Sequence, residues 1–340
     1  MSQAKAELQW ALIGASDIAK TRMIKAINMQ PDSRVTAVFS SNADHGKAYA
    51  AENSIPKVYD TLPALLEDPQ IDVVYISTTN DRHRDQAFAA VATGKHILCE
   101  KPLALSVEDA RQMVKRAESA NLVFGTNHHL RNAVTHRTLR KLVKEGAIGK
   151  PLAARVFHAV YLPPRLQGWR LTRPEAGGGV ILDITVHDTD TLRFVLGLEV
   201  EDVIARSTSQ GLAQGGTEDA VMGAMYFGEG VLAQFHDAFT IKHASTGLEI
   251  HGTEGSLFAI DVMTQDPIGS VMLRRENEQS QVKLDPPEDL YAHAVRHFNQ
   301  AVRTGGQPFA TGEDGVRSLA VALAALESCK SGCRAPVWYA

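Results

Sequence analysis

Three side chains in this sequence have the chemistry of proton handling. Lys101 follows a short apolar run in CEKPLAL (99–105), between Glu100 and Pro102. Proline fixes the backbone angle φ and has no N–H to donate, so the chain leaves the lysine in a set direction. Asp183 and His187 stand four apart in AGGGVILDITVHDTD (176–190). That spacing places both on one face of a helix. An ammonium can protonate a carbonyl oxygen and stabilise the alkoxide forming there, and an imidazole can bond the same oxygen. A surface turn and a solvated helical pair would carry the same residues, so the surrounding elements decide between these readings. The glycine run favours close approach of backbone or ligand.

From residue 9 to about 125 apolar runs alternate with helical stretches. QWALIG (9–14), RVTAVFS (34–40), IDVVYIS (71–77), HILC (96–99) and LVFGT (122–126) read as strands. Helices are predicted over 16–29, 43–53, 81–94 and 107–120. Continuous apolar strands separated by helices indicate a parallel sheet covered on both faces, the doubly wound α/β class. From about 151 the rhythm changes to alternating strands with Gly-rich turns, which predicts a large, mostly antiparallel open sheet. Helices at 185–196 and 313–330 are expected to flank it, with 128–146 linking the halves. The fold expected is an N-terminal Rossmann domain, 1–127, and a C-terminal α+β domain, 128–340.

LIGASDIA (12–19) follows the first strand and opens the first helix. Gly14, Ser16 and Ala19 fill the three positions of a G-x-G-x-x-G/A phosphate loop, with Ser16 replacing the middle glycine. Backbone N–H groups at such a helix start face a pyrophosphate. NAD sites place a carboxylate at the end of the second strand. Here VFSSNADHG (38–46) offers Ser40, Ser41 and His45 instead, with Asp44 only in the next helix. NADP(H) is therefore preferred, with NAD(H) possible; the alternative is that the serines merely cap that helix. STTNDRH (77–83) follows the third parallel strand, at the sheet edge where ligands bind, and Glu100 and Lys101 emerge after the next one.

Together LIGASDIA, STTNDRH, CEKPLAL, GTNHHLRN (125–132), LQGWR (166–170) and GGGVILDITVH (177–187) resemble the glucose–fructose oxidoreductase / inositol dehydrogenase (Gfo/Idh/MocA) family. Within it, RVFHAVYLPP and AQFHDAFT are similar to a reductase of a 2-keto anhydro sugar. The resemblance covers nearly the whole chain. It implies reduction of a cyclic sugar ketone, with Lys101, His187 and Asp183 catalytic. It implies cofactor contacts from Gly14, Ser16, Asp17, Ile18 and Ala19 in the phosphate loop, and from Ser40, Ser41 and His45 beside it. Further contacts are implied from Thr78, Thr79, Asn80 and His83, from Glu100, Lys101 and Asn127, and from Trp169, Arg170 and Tyr291. One reductase of the family carries arginine where His45 stands; a histidine lacks the bidentate fork, which leaves room for both cofactors. The competing readings are a sugar or inositol dehydrogenase of another specificity and a non-catalytic nucleotide-binding sensor on the same fold.

Composition removes other classes. With 35 basic and 39 acidic residues, net −4, and no basic stripe, nucleic acid is not an expected partner. No apolar run reaches the roughly 18–20 residues that span a bilayer. The opening MSQAKAELQW shows no export signal, so a cytoplasmic location is expected. Three cysteines give no disulfide framework, and Cys329 and Cys333 lack the further ligands of a structural zinc site, so no metal is expected. A monomer and a homodimer both fit the sequence.

Overall fold

The computed structural model describes residues 7–339; the first six residues, part of the stretch read above as lacking an export signal, and Ala340 lie outside them. The chain divides into two compact units. One comprises the chain up to His128 together with Tyr291–Val316; the other comprises His129–Leu290 together with the chain from Arg317 onward. The division thus has four segments, where a simple split into 1–127 and 128–340 has two.

The first unit is a six-stranded parallel sheet. Its strands are β1 (Leu8–Ile13), β2 (Ser33–Phe39), β3 (Lys57–Tyr59), β4 (Val73–Ile76), β5 (His96–Cys99) and β6 (Phe124–Thr126). Their order is β3-β2-β1-β4-β5-β6, the Rossmann order with its switch point between β1 and β4. β4 reads VVYI and every residue of it is buried, as a strand covered on both faces requires. The predicted helix 16–29 is broken into a π-type turn, Ala19–Met23, and an α-helix, Ile24–Asn28. Such bulges concentrate where a helix serves a site. The helix Leu290–Thr304, absent from the sequence reading, belongs to this unit from Tyr291 onward. Its Phe298 is 1% exposed and packs on Trp10 with ring centroids 5.3 Å apart. Burial of that ring contributes about 2–3 kcal/mol, enough to return a distant segment to this core. A Cβ on Gly125 would lie 3.1 Å from the Phe298 ring, so any larger residue in β6 would press on that ring.

The second unit is a nine-stranded sheet. Its strands are β7 (Pro151–Ala159), β8 (Val200–Thr208), β9 (Ala220–Phe227), β10 (Leu232–Ala238), β11 (Gly247–Gly252), β12 (Ser256–Ile260), β13 (Ser270–Arg275), β14 (Glu278–Gln281) and β15 (Ala335–Pro336). The order β14-β13-β12-β11-β7-β10-β9-β8-β15 joins two meanders through β7. The sheet is antiparallel except that β7 and β10 run parallel. Alternation along β9 buries Val221 and Met225 and leaves Met222 and Tyr226 exposed. The partners of those exposed residues, Leu232 on β10 and Arg206 on β8, are exposed too, so one face of this sheet is open. The linking helix is shorter than read, Val134–Lys144, with a 3-10 turn at Leu130–Asn132 before it. The helix read at 185–196 is α-helical over Val186–Leu196 and is preceded by a π-type turn, Ile181–Thr185. Among the described residues no helix is long and apolar enough to cross a membrane.

Candidate active site

In the first unit the predicted nucleotide residues fall at the carboxyl ends of β1, β2, β4, β5 and β6, except Tyr291, which lies on the helix Leu290–Thr304. Gly14 has φ +110°, and a Cβ there would lie 3.1 Å from Thr78 Cγ2 and 3.2 Å from the Ser77 carbonyl carbon. The phosphate loop is therefore packed against the 77–80 loop through a contact only glycine allows. The Ser16 and Ser77 hydroxyls lie 2.8 Å apart, and Ser16 Oγ accepts from the Ala19 N–H at 3.2 Å. The serine at the second glycine position thus caps its own helix start, and the Tyr49 hydroxyl donates to the Ser16 carbonyl at 3.0 Å. Asp17 and Ile18 form the first helical residues. His45 reaches back over the loop, with Nε2 3.1 Å from the Ala15 carbonyl oxygen. Ser40 is half-buried and Ser41 exposed. Ser40 Oγ accepts from the Asn42 N–H, and Asn42, not a serine, caps the following helix through the His45 N–H.

His83 lies beneath the site. Its ring is fully buried, with Nδ1 2.9 Å from the Pro102 carbonyl and Nε2 3.3 Å from that of Thr78. Burial pushes its pKa down, while the two carbonyls pull it back, and the ring sits between the 77–80 loop and the loop after Lys101. Lys101–Pro102 is a cis peptide bond. Thr78 donates to Gln86 Oε1 at 2.7 Å, and Asn80 is buried in a 3-10 turn.

Glu100 forms the electrostatic centre of this unit. Its Oε1 accepts from Tyr75 Oη at 2.5 Å and from Asn127 Nδ2 at 2.6 Å. Burial raises its pKa above the usual carboxylate range, while the Lys101 charge and the two donors pull it back. Tyr75, buried and facing Glu100, has its phenol pushed well above its ordinary value. Tyr291 lies close enough to Tyr75 to act on it electrostatically, which brings that late residue to this cluster. Asn127 Oδ1 is buried without a hydrogen-bond partner among the described residues. A buried amide oxygen in that state fits a ligand that donates to it. Sequence reasoning missed Tyr75, Ser77 and Gln86. A tyrosine inside an otherwise aliphatic buried strand was a usable signal, since its hydroxyl needs a partner.

In the second unit the glycine run shapes the turn that carries Asp183. A Cβ on Gly178 would meet the carbonyl oxygens of Trp169 and Arg170 at 2.8 and 2.9 Å. Those contacts pin the short helix Trp169–Thr172 against the start of the turn. Arg170 Nε lies 3.3 Å from Asp183 Oδ2, and its guanidinium sits 4.8 Å from the Trp169 ring centre. Arg170 thus faces a residue predicted as catalytic. Glu218, also missed, accepts from the Ile181 N–H at 3.1 Å; burial raises its pKa to about 6. Asp183 lies in the π-type turn and His187 in the α-helix that follows it. His187 is 5% exposed and packs edge-on against His129, with ring centroids 4.7 Å apart.

A parallel sheet in Rossmann order, a glycine loop at its switch point and a buried carboxylate beside a lysine define a dinucleotide-dependent oxidoreductase. Residues 8–128 match the oxidoreductase family with an NAD-binding Rossmann fold, Gfo/Idh/MocA, and residues 136–258 match the Gfo/Idh/MocA C-terminal domain. The chain belongs to that family. It is 56% identical over 329 residues to the 1,5-anhydro-D-fructose reductase of Ensifer adhaerens, covering 97% of this chain and 98% of the relative. It is 27% identical to the myo-inositol 2-dehydrogenase of Thermotoga maritima, covering 93% and 95%. Among solved structures it is similar to a 3-ketoreductase from Actinomadura kijaniata in complex with NADP and TDP-benzene. That match has a TM-score of 0.84 and 25% identity, covering 95% of this chain and 98% of the other.

Proposed function

We propose that this chain reduces a cyclic sugar ketone of the 1,5-anhydro-D-fructose type, with NADPH preferred over NADH. The observation that carries the substrate is the 56% identity, along nearly the full length, to a reductase of that name. The cofactor preference rests on Ser40 and Ser41 at the end of β2, where an NAD site has a carboxylate. His45 stands beside the loop, its Nε2 against the Ala15 carbonyl.

The bound nicotinamide supplies the hydride. Gly14, Ser16, Asp17, Ile18 and Ala19 offer backbone to the pyrophosphate; Thr78, Thr79 and Asn80 take the next part of the cofactor. The unpartnered Asn127 oxygen suits a donor on the ribose or the carboxamide. Lys101 gives a proton to the substrate carbonyl oxygen and holds the developing alkoxide by charge. Glu100, held by Tyr75 and Asn127, is the counter-charge that keeps that lysine in place. His187 and Asp183 hold substrate hydroxyl groups, with Arg170 steadying Asp183.

The test is NADPH and NADH oxidation by the purified chain against a panel of cyclic 2-keto and 3-keto sugars, with inositols and aldoses for the reverse direction. The expected result is fastest turnover of 1,5-anhydro-D-fructose with NADPH. Faster oxidation of an inositol or an aldose would replace this reading with a dehydrogenase. Cofactor binding without turnover of any of them would replace it with a sensor.

A further inference from the structure

A second polar cluster lies inside the second unit. Asp188, next in sequence to His187, and Asp237, on β10, are both 0% exposed. The two carboxyls lie close enough to act on each other's ionisation. Asp188 Oδ1 lies 2.7 Å from Nδ1 of His158 on β7, and Asp237 Oδ2 accepts from the Thr185 hydroxyl at 2.5 Å. Two oxygens remain without another partner, Asp188 Oδ2 and Asp237 Oδ1. Two carboxylates cannot face each other in a buried site, whereas one carboxyl and one carboxylate can, with a proton between those two oxygens.

The remaining partners fix which group holds it. With its Nδ1 protonated, His158 donates to Asp188, which makes Asp188 the acceptor and leaves the proton to Asp237. Asp237 is faced by the Thr185 hydroxyl and by Asp188. Among the described residues no Lys or Arg acts on this pair; its titratable neighbours are His158, whose charge lowers Asp237, and, behind it, His136 on the helix Val134–Lys144. Burial, and then His158, pushes His136 down to about 3, so it brings no positive charge. Burial and the Asp188 charge both raise Asp237.

We propose that Asp237 and Asp188 share one proton and, through Thr185 and His158, act as positioning residues that hold the turn carrying Asp183 and His187. Thr185 closes that π-type turn and Asp188 lies in the first turn of the helix after it, so β7 and β10 grip the segment on both sides of His187. The catalytic part of this inference rests on the ketone-reductase reading above; the shared proton does not.

Two readouts separate them. In wild type and Asp237→Asn, melting temperature is measured from pH 5 to 9. Between the ordinary carboxylate pKa near 4 and its raised folded value, the folded chain holds one proton more than the unfolded chain, so stability falls as pH rises through that window. Asparagine keeps the geometry, donating to Asp188 Oδ2 and accepting from Thr185, but cannot lose a proton. The expected result is that wild type loses melting temperature relative to Asp237→Asn as pH rises. Parallel profiles would overturn the shared proton. The second readout is turnover of whichever carbonyl or alcohol substrate the wild type accepts. Asp237→Ala should lose roughly 10²-fold in kcat, with NADPH affinity unchanged, as a displaced turn predicts. Asp237→Asn should restore kcat to within about threefold of wild type near pH 6. Equal loss in both variants, or no loss in Asp237→Ala, would overturn the positioning role. If no substrate is turned over, the reductase reading fails and the melting profiles still decide the proton.

Discussion

Each unit buries an acid, and the two acids face opposite company. Glu100, after β5, is raised by burial, but it faces a tyrosine hydroxyl, an asparagine amide and the charge of Lys101, all of which favour the carboxylate. Asp237, on β10, is raised by burial too, and the nearest ionisable group is another carboxyl, which pushes the same way. Depth alone would make both neutral. The neighbours suit Glu100 to the proposed counter-charge of a lysine and Asp237 to the proposed neutral donor to Asp188. A buried acid is therefore read from what it faces, and its role follows from that.

The largest test removes the cation from that contrast. Lys101→Met should cut kcat by roughly 10²–10⁴-fold, the span expected for a lost general acid, and leave NADPH affinity nearly intact. Stopped-flow NADPH oxidation and a fluorescence titration measure the two. Turnover within tenfold of wild type would remove Lys101 from the chemistry and leave Glu100 without the partner argued for it. A middle-sized test sets two amides against each other. Glu100→Gln keeps an oxygen for Tyr75 and Asn127 but deletes the charge facing Lys101, so kcat should fall by about 10–100-fold. Asp237→Asn deletes no charge and should cost about threefold. Equal losses in steady-state assays at pH 6 would mean that the two acids do not differ in charge.

The same contrast separates what the sequence made legible from what it hid. The first unit could be read because the phosphate loop, STTNDRH and CEKPLAL each follow a short apolar strand, and period and motif agree at every step. The second sheet was readable as alternation, including β9 and β10. Its helices were harder. Leu290–Thr304 follows a polar stretch and packs on Trp10, some 280 residues earlier in the chain, so its reason for existing is a long-range contact. The π-type turn at Ile181–Thr185 was not foreseen; carbonyl contacts at Gly178 shape it, and no local pattern announces them. Lys101, Asp183 and His187 could be named because their chemistry stands out. Tyr75 left one signal, a hydroxyl in an aliphatic strand, whereas Asp237 stayed hidden, because it becomes polar machinery only through what lies across the fold.

The smallest effect is expected where an ionic partner would sit in water. His45 is exposed, with Nε2 at the Ala15 carbonyl, and stands beside the two serines that replace the NAD-type carboxylate. His45→Arg would add a fork able to hold a phosphate bidentately. Because the position is exposed, solvent screens the added charge, and the gain is limited to about 1 kcal/mol, or roughly fivefold. The KM for NADPH should fall by that factor while the KM for NADH and both kcat values stay level, since the change lies far along the cofactor from the reacting carbon. Steady-state kinetics with the two cofactors measure it, and the gain should shrink as salt rises. An equal change for NADH would place His45 on a part of the cofactor that both nucleotides share. A gain near a hundredfold would mean that water is excluded there when cofactor binds, and that this rim follows the rules of the buried acids.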